Sequence, residues 1–232
     1  MARIFFTFLC FLTTINAIQA VVVEYKVTNR AATTPGGIAF TNQLGEEYTK
    51  QTMSSATDFI WRLFHQNSDA ERKNTVDDVS LFLDDRDETY VAAVSNDEII
   101  VGDNFIENIQ GENMKRDFNG VVYHEMTHVW QFDGSAGTKA PMGLIDGIAD
   151  FVRLKANFVP DGWTQPGDGT RWDESYGVTA RFLEYCNDLR NGFVAEINKK
   201  LRDTYSVTFF DELLGKPVDQ LWTEYKAKYG KN

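Results

Sequence analysis

Along the chain, apolar and polar positions follow two different periods. Val21 to Val27 alternates like a strand, and Pro35-Gly36-Gly37 reads as a turn after it. Ala56, Phe59, Ile60, Leu63 and Phe64 recur at helical spacing, which predicts a long amphipathic helix with His65 near its end. Short strand-like runs follow at Val79 to Leu83, Tyr90 to Val94 and Glu98 to Val101, separated by acidic turns. From Lys115 the 3.6-residue period takes over. It predicts helices near 115–132, 142–157, 174–187, 190–203 and 217–228, with a Gly-, Pro- and Asp-rich stretch from Pro160 to Gly169 between the second and third. Strands first and helices afterwards, with no repeat, low-complexity tract or long linker, predict an α+β fold in one domain.

The N-terminal pattern differs from both. Arg3, the apolar run Ile4 to Leu12 and the small or polar residues up to Ala20 read as a secretory signal. The run is far shorter than the roughly 20 residues that span a bilayer. The expected division is therefore a signal over 1–20 and one domain over 21–232 in a secreted, extracellular protein. Cys10 falls within the signal, so Cys186 is the one thiol of the mature chain and no internal disulfide is possible. Cys186 lies in a helical pattern and reads as a small apolar core residue. No Asn-x-Ser/Thr sequon occurs.

Composition narrows the partners. At 43% hydrophobic residues, the chain can bury a core without cross-links. Its formal net charge of −11 excludes a phosphate-backbone binder, and loss of the signal removes Arg3 and no acidic residue. Neither nucleic acid nor, after signal removal, a membrane is an expected partner.

The chemistry is concentrated in His124-Glu125-Met126-Thr127-His128. Positions i and i+4 of a helix share a face, so both imidazoles can reach one cation, while Glu125, rotated by about 100°, stands beside it. That is the ligand-and-base arrangement of a zinc hydrolase. Val122, Met126, Val129 and Trp130 fall on the opposite side of the wheel, so the helix can bury one face and present the histidines to a cleft. Catalytic zinc usually has three protein ligands. A metzincin continuation would need Gly at 131 and His or Asp at 134, where this chain has Gln131 and Gly134. The next helix offers Asp146 and Asp150 on one face. We assign Asp146 to the metal and Asp150 to the distal nitrogen of a ligating histidine, with the swapped assignment as the alternative. Gly143 and Gly147, beside the aspartates, are expected to let this helix approach the histidine helix closely.

In these motifs the chain resembles the plant basic secretory protein family. The resemblance runs from Tyr25-Lys26-Val27-Thr28-Asn29 and Thr34-Pro35-Gly36-Gly37 through Val122 to Gln131 and Gly143 to Leu154, and ends in Thr179 to Cys186. It implies a zincin-like fold, a secreted zinc peptidase, an apoplastic location and a part in plant defence. The chain departs from the family in being acidic, and in carrying Asp146 where glutamate is common.

On this reading the protein is a Zn2+-dependent metalloendopeptidase. His124, His128 and Asp146 hold the metal, Glu125 is the general base, and Tyr176 is the candidate donor to the oxyanion. The partner is a peptide or protein substrate, and the protein acts as a monomer. A secreted defence or cell-wall binding protein that keeps the fold without catalysis is the alternative. Glu98 to Val101 is a candidate edge strand for pairing with an extended substrate.

Overall fold

The computed structural model describes residues 23–73, 76–109 and 111–230. The expected signal over 1–20, with Cys10, lies outside them, as does the start of the first predicted strand. In chain order the described elements are β1 (Glu24–Asn29), α1 (Pro35–Gln43), α2 (Gly45–Leu63), β2 (Asp78–Asp84), β3 (Ala92–Ser95), β4 (Glu98–Gly102) and α3 (Asp103–Asn108). The helical half follows as α4 (Met114–Trp130), α5 (Met142–Lys155), α6 (Tyr176–Leu189), α7 (Phe193–Lys200), α8 (Phe209–Leu214) and α9 (Val218–Lys228). The fold is α+β, with a small mixed sheet followed by a mostly helical half.

The sheet has the order β1-β2-β4-β3. β1, β2 and β4 are parallel, and β3 is antiparallel to β4. A parallel pair needs a long crossover, and α1 with α2 supplies it between β1 and β2. Val79, Leu81 and Leu83 of β2 and Ile99 and Val101 of β4 are fully buried, so the period-2 pattern points one face into the core. Glu98 to Val101 lies inside the sheet between β2 and β3, which corrects its reading as an edge. The edge is β3.

Three further differences from the sequence reading have local causes. Pro35-Gly36-Gly37 opens a helix instead of making a turn: Thr34 caps it by accepting from Gly37 N at 3.1 Å, with Pro35 in the first turn. A side chain at Gly36 would collide with the Asp103 carbonyl, so these glycines serve close packing. The short helices α3 and α8 span too few turns to show a period. The helix predicted around Ala56 starts earlier, at Gly45, because its first turns are polar; His65 follows its end in a left-handed conformation at φ 54°.

α2 braces the histidine helix near both ends. Tyr48 Oη donates to Asn119 Oδ1 at 2.9 Å, and Trp130 Nε1 donates to Thr57 Oγ1 at 3.0 Å. Val122, Met126 and Trp130 are buried on the core side of α4, and Val129, expected there too, is buried but lines the cleft. Cys186 is a free, buried thiol.

Candidate metal centre

The cleft has a volume of about 690 Å³ and lies between β3, α4 and α5. α4 sends His124, Glu125 and His128 into it, α5 sends Asp146 and Asp150, and Tyr176 at the start of α6 completes the lining. Residues predicted as a set therefore share one wall-to-wall space, although 52 positions separate His124 from Tyr176 in the numbering.

The two imidazoles face each other through Nε2, 3.1 Å apart. Asp146 Oδ1 lies 3.6 Å from His128 Nε2. One donor atom each from His124, His128 and Asp146 falls within a 4.8 Å span, so this group can hold a metal ion. With bonds of about 2.0–2.1 Å, a tetrahedral zinc ion separates its donors by about 3.3 Å, and the 3.1 and 3.6 Å separations at His128 Nε2 lie on either side of that value. Asp150 Oδ1 is 2.8 Å from His124 Nδ1, on the side of the ring away from His128.

Asp146 is held from its other oxygen, where Ser175 Oγ donates to Oδ2 at 3.0 Å. This contact revises the role of the α5 glycines. A Cβ at Gly147 would strike Thr179, and one at Gly143 would strike the Asp173 carbonyl. The glycines admit the Asp173–Thr179 segment and α6, not α4. The glycine at the α4–α5 contact is on α4 instead: Gly120 lies beneath the Arg153 guanidinium and the Phe158 carbonyl.

Ser175 and Tyr176 both have positive φ, at 98° and 46°. Non-glycine residues adopt such conformations at a cost, and they cluster at functional sites. Here they turn the Tyr176 ring over the cleft, nearly parallel to His124 at 23°, with centroids 5.9 Å apart. Tyr176 remains 59% exposed, so it stands at the mouth of the site and not in its floor.

Burial controls the charges. Glu125 is 6% exposed, and desolvation pushes its carboxyl up to about 7. The His124 charge opposes that rise, while Asp146 and Asp150 add to it. For His124, burial disfavours protonation, but the hydrogen bond and charge of Asp150, together with the charges of Glu125 and Asp146, outweigh it and leave the ring raised. His128 is depressed to about 3 by burial, with help from the His124 and Lys73 charges. Asp146 first, then burial and the other carboxylates, raise the Tyr176 hydroxyl. The metal-free centre is thus crowded with acceptors and short of positive charge. A cation among the donors would reverse the pressure on Glu125 and Tyr176.

Three residues at the centre escaped the sequence reading. Ser175 gives no local signal, because it meets Asp146 across 29 positions. Lys73 donates to the His128 carbonyl at 3.3 Å and reaches the cleft from the loop before β2. Gln131 was legible in part: it sits three residues after His128, on an adjoining flank of the helix, with its Nε2 2.7 Å from His128 Nδ1.

A family model described as "Peptidase of plants and bacteria" matches residues 20–225. The chain belongs to this family, the basic secretory protein family. It is also similar to a protein named "Basic secretory protease" from Boswellia serrata, 49% identical over 61 residues, which are 26% of this chain and 70% of that relative. No solved structure matches the chain. The family description implies peptide substrates. Among the described residues, no helix is long and apolar enough to cross a membrane.

Proposed function

We propose that the protein is a secreted, zinc-dependent metalloendopeptidase with a zincin-like fold, and that His124, His128 and Asp146 are the zinc ligands. The observation that carries this reading is the convergence of two imidazole Nε2 atoms and Asp146 beside a nearly buried Glu125 in an open cleft. When bound, zinc supplies the positive charge that activates a water and polarises the scissile carbonyl.

The chain's own residues do the rest. Glu125 accepts the proton of the attacking water and delivers it to the leaving nitrogen as the C–N bond breaks, so water adds across the peptide bond without another reagent. Without metal, desolvation holds this carboxyl up at about 7, and a cation beside it favours the ionised form that accepts the proton. Asp150 accepts the Nδ1 hydrogen of His124 and so fixes the tautomer that leaves Nε2 free. Tyr176, held over the cleft by its strained backbone, donates its hydroxyl hydrogen to the oxygen on which charge develops. β3 gives the substrate a free sheet edge: residues 92–97 line the cleft, and an extended peptide can add to them as a further strand.

The leader over 1–20, the single domain over 21–232, the monomeric state and a role in plant defence outside the cell belong to the same reading. The name of the Boswellia serrata relative supports secretion. The test is hydrolysis of peptide substrates by purified protein, with and without a chelator, beside Glu125→Gln. We expect chelation to abolish turnover and zinc to restore it, and Glu125→Gln to lower kcat by about 10²–10⁴-fold. Chelator-resistant hydrolysis, or equal activity in Glu125→Gln, would reject the mechanism.

A further inference from the structure

Gln131 is the residue that ends α4. Its backbone N–H bonds to Thr127 O at 2.7 Å, and the side chain is buried at 2% exposure. The amide Nε2 contacts His128 Nδ1 at 2.7 Å and the Ile145 carbonyl at a long 3.4 Å, while Oε1 is buried with no partner. A buried polar side chain left half satisfied beside a candidate ligand calls for an explanation.

The explanation follows from hydrogen counting. A neutral imidazole carries one hydrogen, and the nitrogen that ligates a metal must lack it. His128 directs Nε2 toward His124 Nε2 and Asp146 Oδ1, so a His128 that ligates through Nε2 carries its hydrogen on Nδ1. The neighbour of Nδ1 must then be an acceptor. The amide as it stands offers its NH2 group there, which would set donor against donor. That arrangement is coherent without metal, as a chain in which Gln131 donates to His128, His128 Nε2–H donates to His124 Nε2, and His124 Nδ1–H donates to Asp150. With a metal between the rings the middle hydrogen has no place. A half-turn of the amide then presents Oε1 to His128 Nδ1, gives up the long contact to Ile145 and moves the NH2 group to the side where Oε1 now has no partner.

We propose that Gln131 is the positioning residue for His128: its amide turns when the metal binds, and its oxygen accepts the Nδ1 hydrogen that keeps Nε2 free as a ligand. The two histidines then have different outer partners. His124 has a carboxylate from the next helix, and His128 has an amide from the cap of its own helix.

The inference rests on the metal-centre reading, and its test separates the two. Zinc affinity is measured by chelator competition for wild type, Gln131→Met and Gln131→Glu, each checked for folding by circular dichroism. Loss of the amide in Gln131→Met is expected to weaken zinc binding by about 10–100-fold. Gln131→Glu, which can only accept, is expected to bind as tightly as wild type or more so. Equal affinity in Gln131→Met, or a folded Gln131→Glu as weak as Gln131→Met, overturns the inference and leaves the metal centre standing. A wild type that binds no zinc overturns both. Long-range ¹H–¹⁵N spectra of zinc-loaded wild type give a second reading that needs no variant. The hydrogen is expected on Nδ1 of His128, and finding it on Nε2 rejects the inference.

Discussion

The centre between α4 and α5 and the aromatic cluster beneath the C-terminal helices are both well buried, but they are buried for different reasons. Around Phe182, the rings of Trp172, Tyr185, Phe210, Trp222 and Tyr225 lie 5.4–6.4 Å away by centroid, in edge-on and stacked pairs. Nearly all of that surface is apolar, and the polar tip of Tyr225 is satisfied by accepting from Gly167 N at 2.7 Å. At the centre, His124, Glu125, Gln131 and Asp150 are as deeply buried, yet Glu125 is desolvated and Gln131 Oε1 is unpartnered. One region supplies stability. The other spends some of it to hold groups in states that water would not favour. The same division predicts where substitutions change folding and where they change chemistry.

The largest effect on the chemical side is that of Glu125→Gln on turnover, given above. On the structural side, Phe182→Ala removes a fully buried ring from the middle of its cluster. It is expected to cost about 3–5 kcal/mol in urea unfolding while leaving zinc affinity of the folded protein unchanged. Coupled losses of stability and zinc binding would break the separation of the two regions.

A smaller effect comes from pH. In metal-free protein the Glu125 carboxyl is raised from 4.5 to about 7, so its protonated form is the one the fold favours. Its contribution is full below pH 4.5 and is lost as pH rises to about 7. His128, depressed to about 3, contributes in the opposite sense: its share is present above 6.5 and is lost as pH falls through about 3. The two partly cancel in wild type, so the difference between wild type and Glu125→Gln isolates the first. The variant is expected to gain on wild type by up to about 3 kcal/mol between pH 4.5 and 7. Denaturant midpoints across that range, in chelator, measure it; a constant difference would mean that Glu125 is not desolvated.

Smaller again, Asp150→Asn is expected to weaken zinc binding by about 10–100-fold with little change in fold, because the hydrogen bond to His124 Nδ1 loses its charge. Unchanged affinity would show that the His124 tautomer is fixed without it.

Much of this site was legible in the chain because it is built on helices. The i, i+4 spacing of His124 with His128 and of Asp146 with Asp150 is local, and a helix converts it directly into shared faces. What the pattern could not show is which element meets which. Gly143 and Gly147 mark points of close approach, but their partners are the loop at Asp173 and Thr179 of α6 and not α4, since a missing side chain does not name its neighbour. The link from Ser175 to Asp146 and the place of β3 at the sheet edge depend on topology, which no single segment encodes. The Pro35-Gly36-Gly37 helix start was hidden because the same residues serve turns and helix N-termini.

The decisive question is whether the buried polar centre binds a metal ion. Calorimetric titration of chelator-stripped protein with zinc is expected to show one ion per chain, lost in His128→Ala and accompanied by a higher melting temperature in the wild type. Binding that survives in His128→Ala, or no binding by folded wild type, would contradict it.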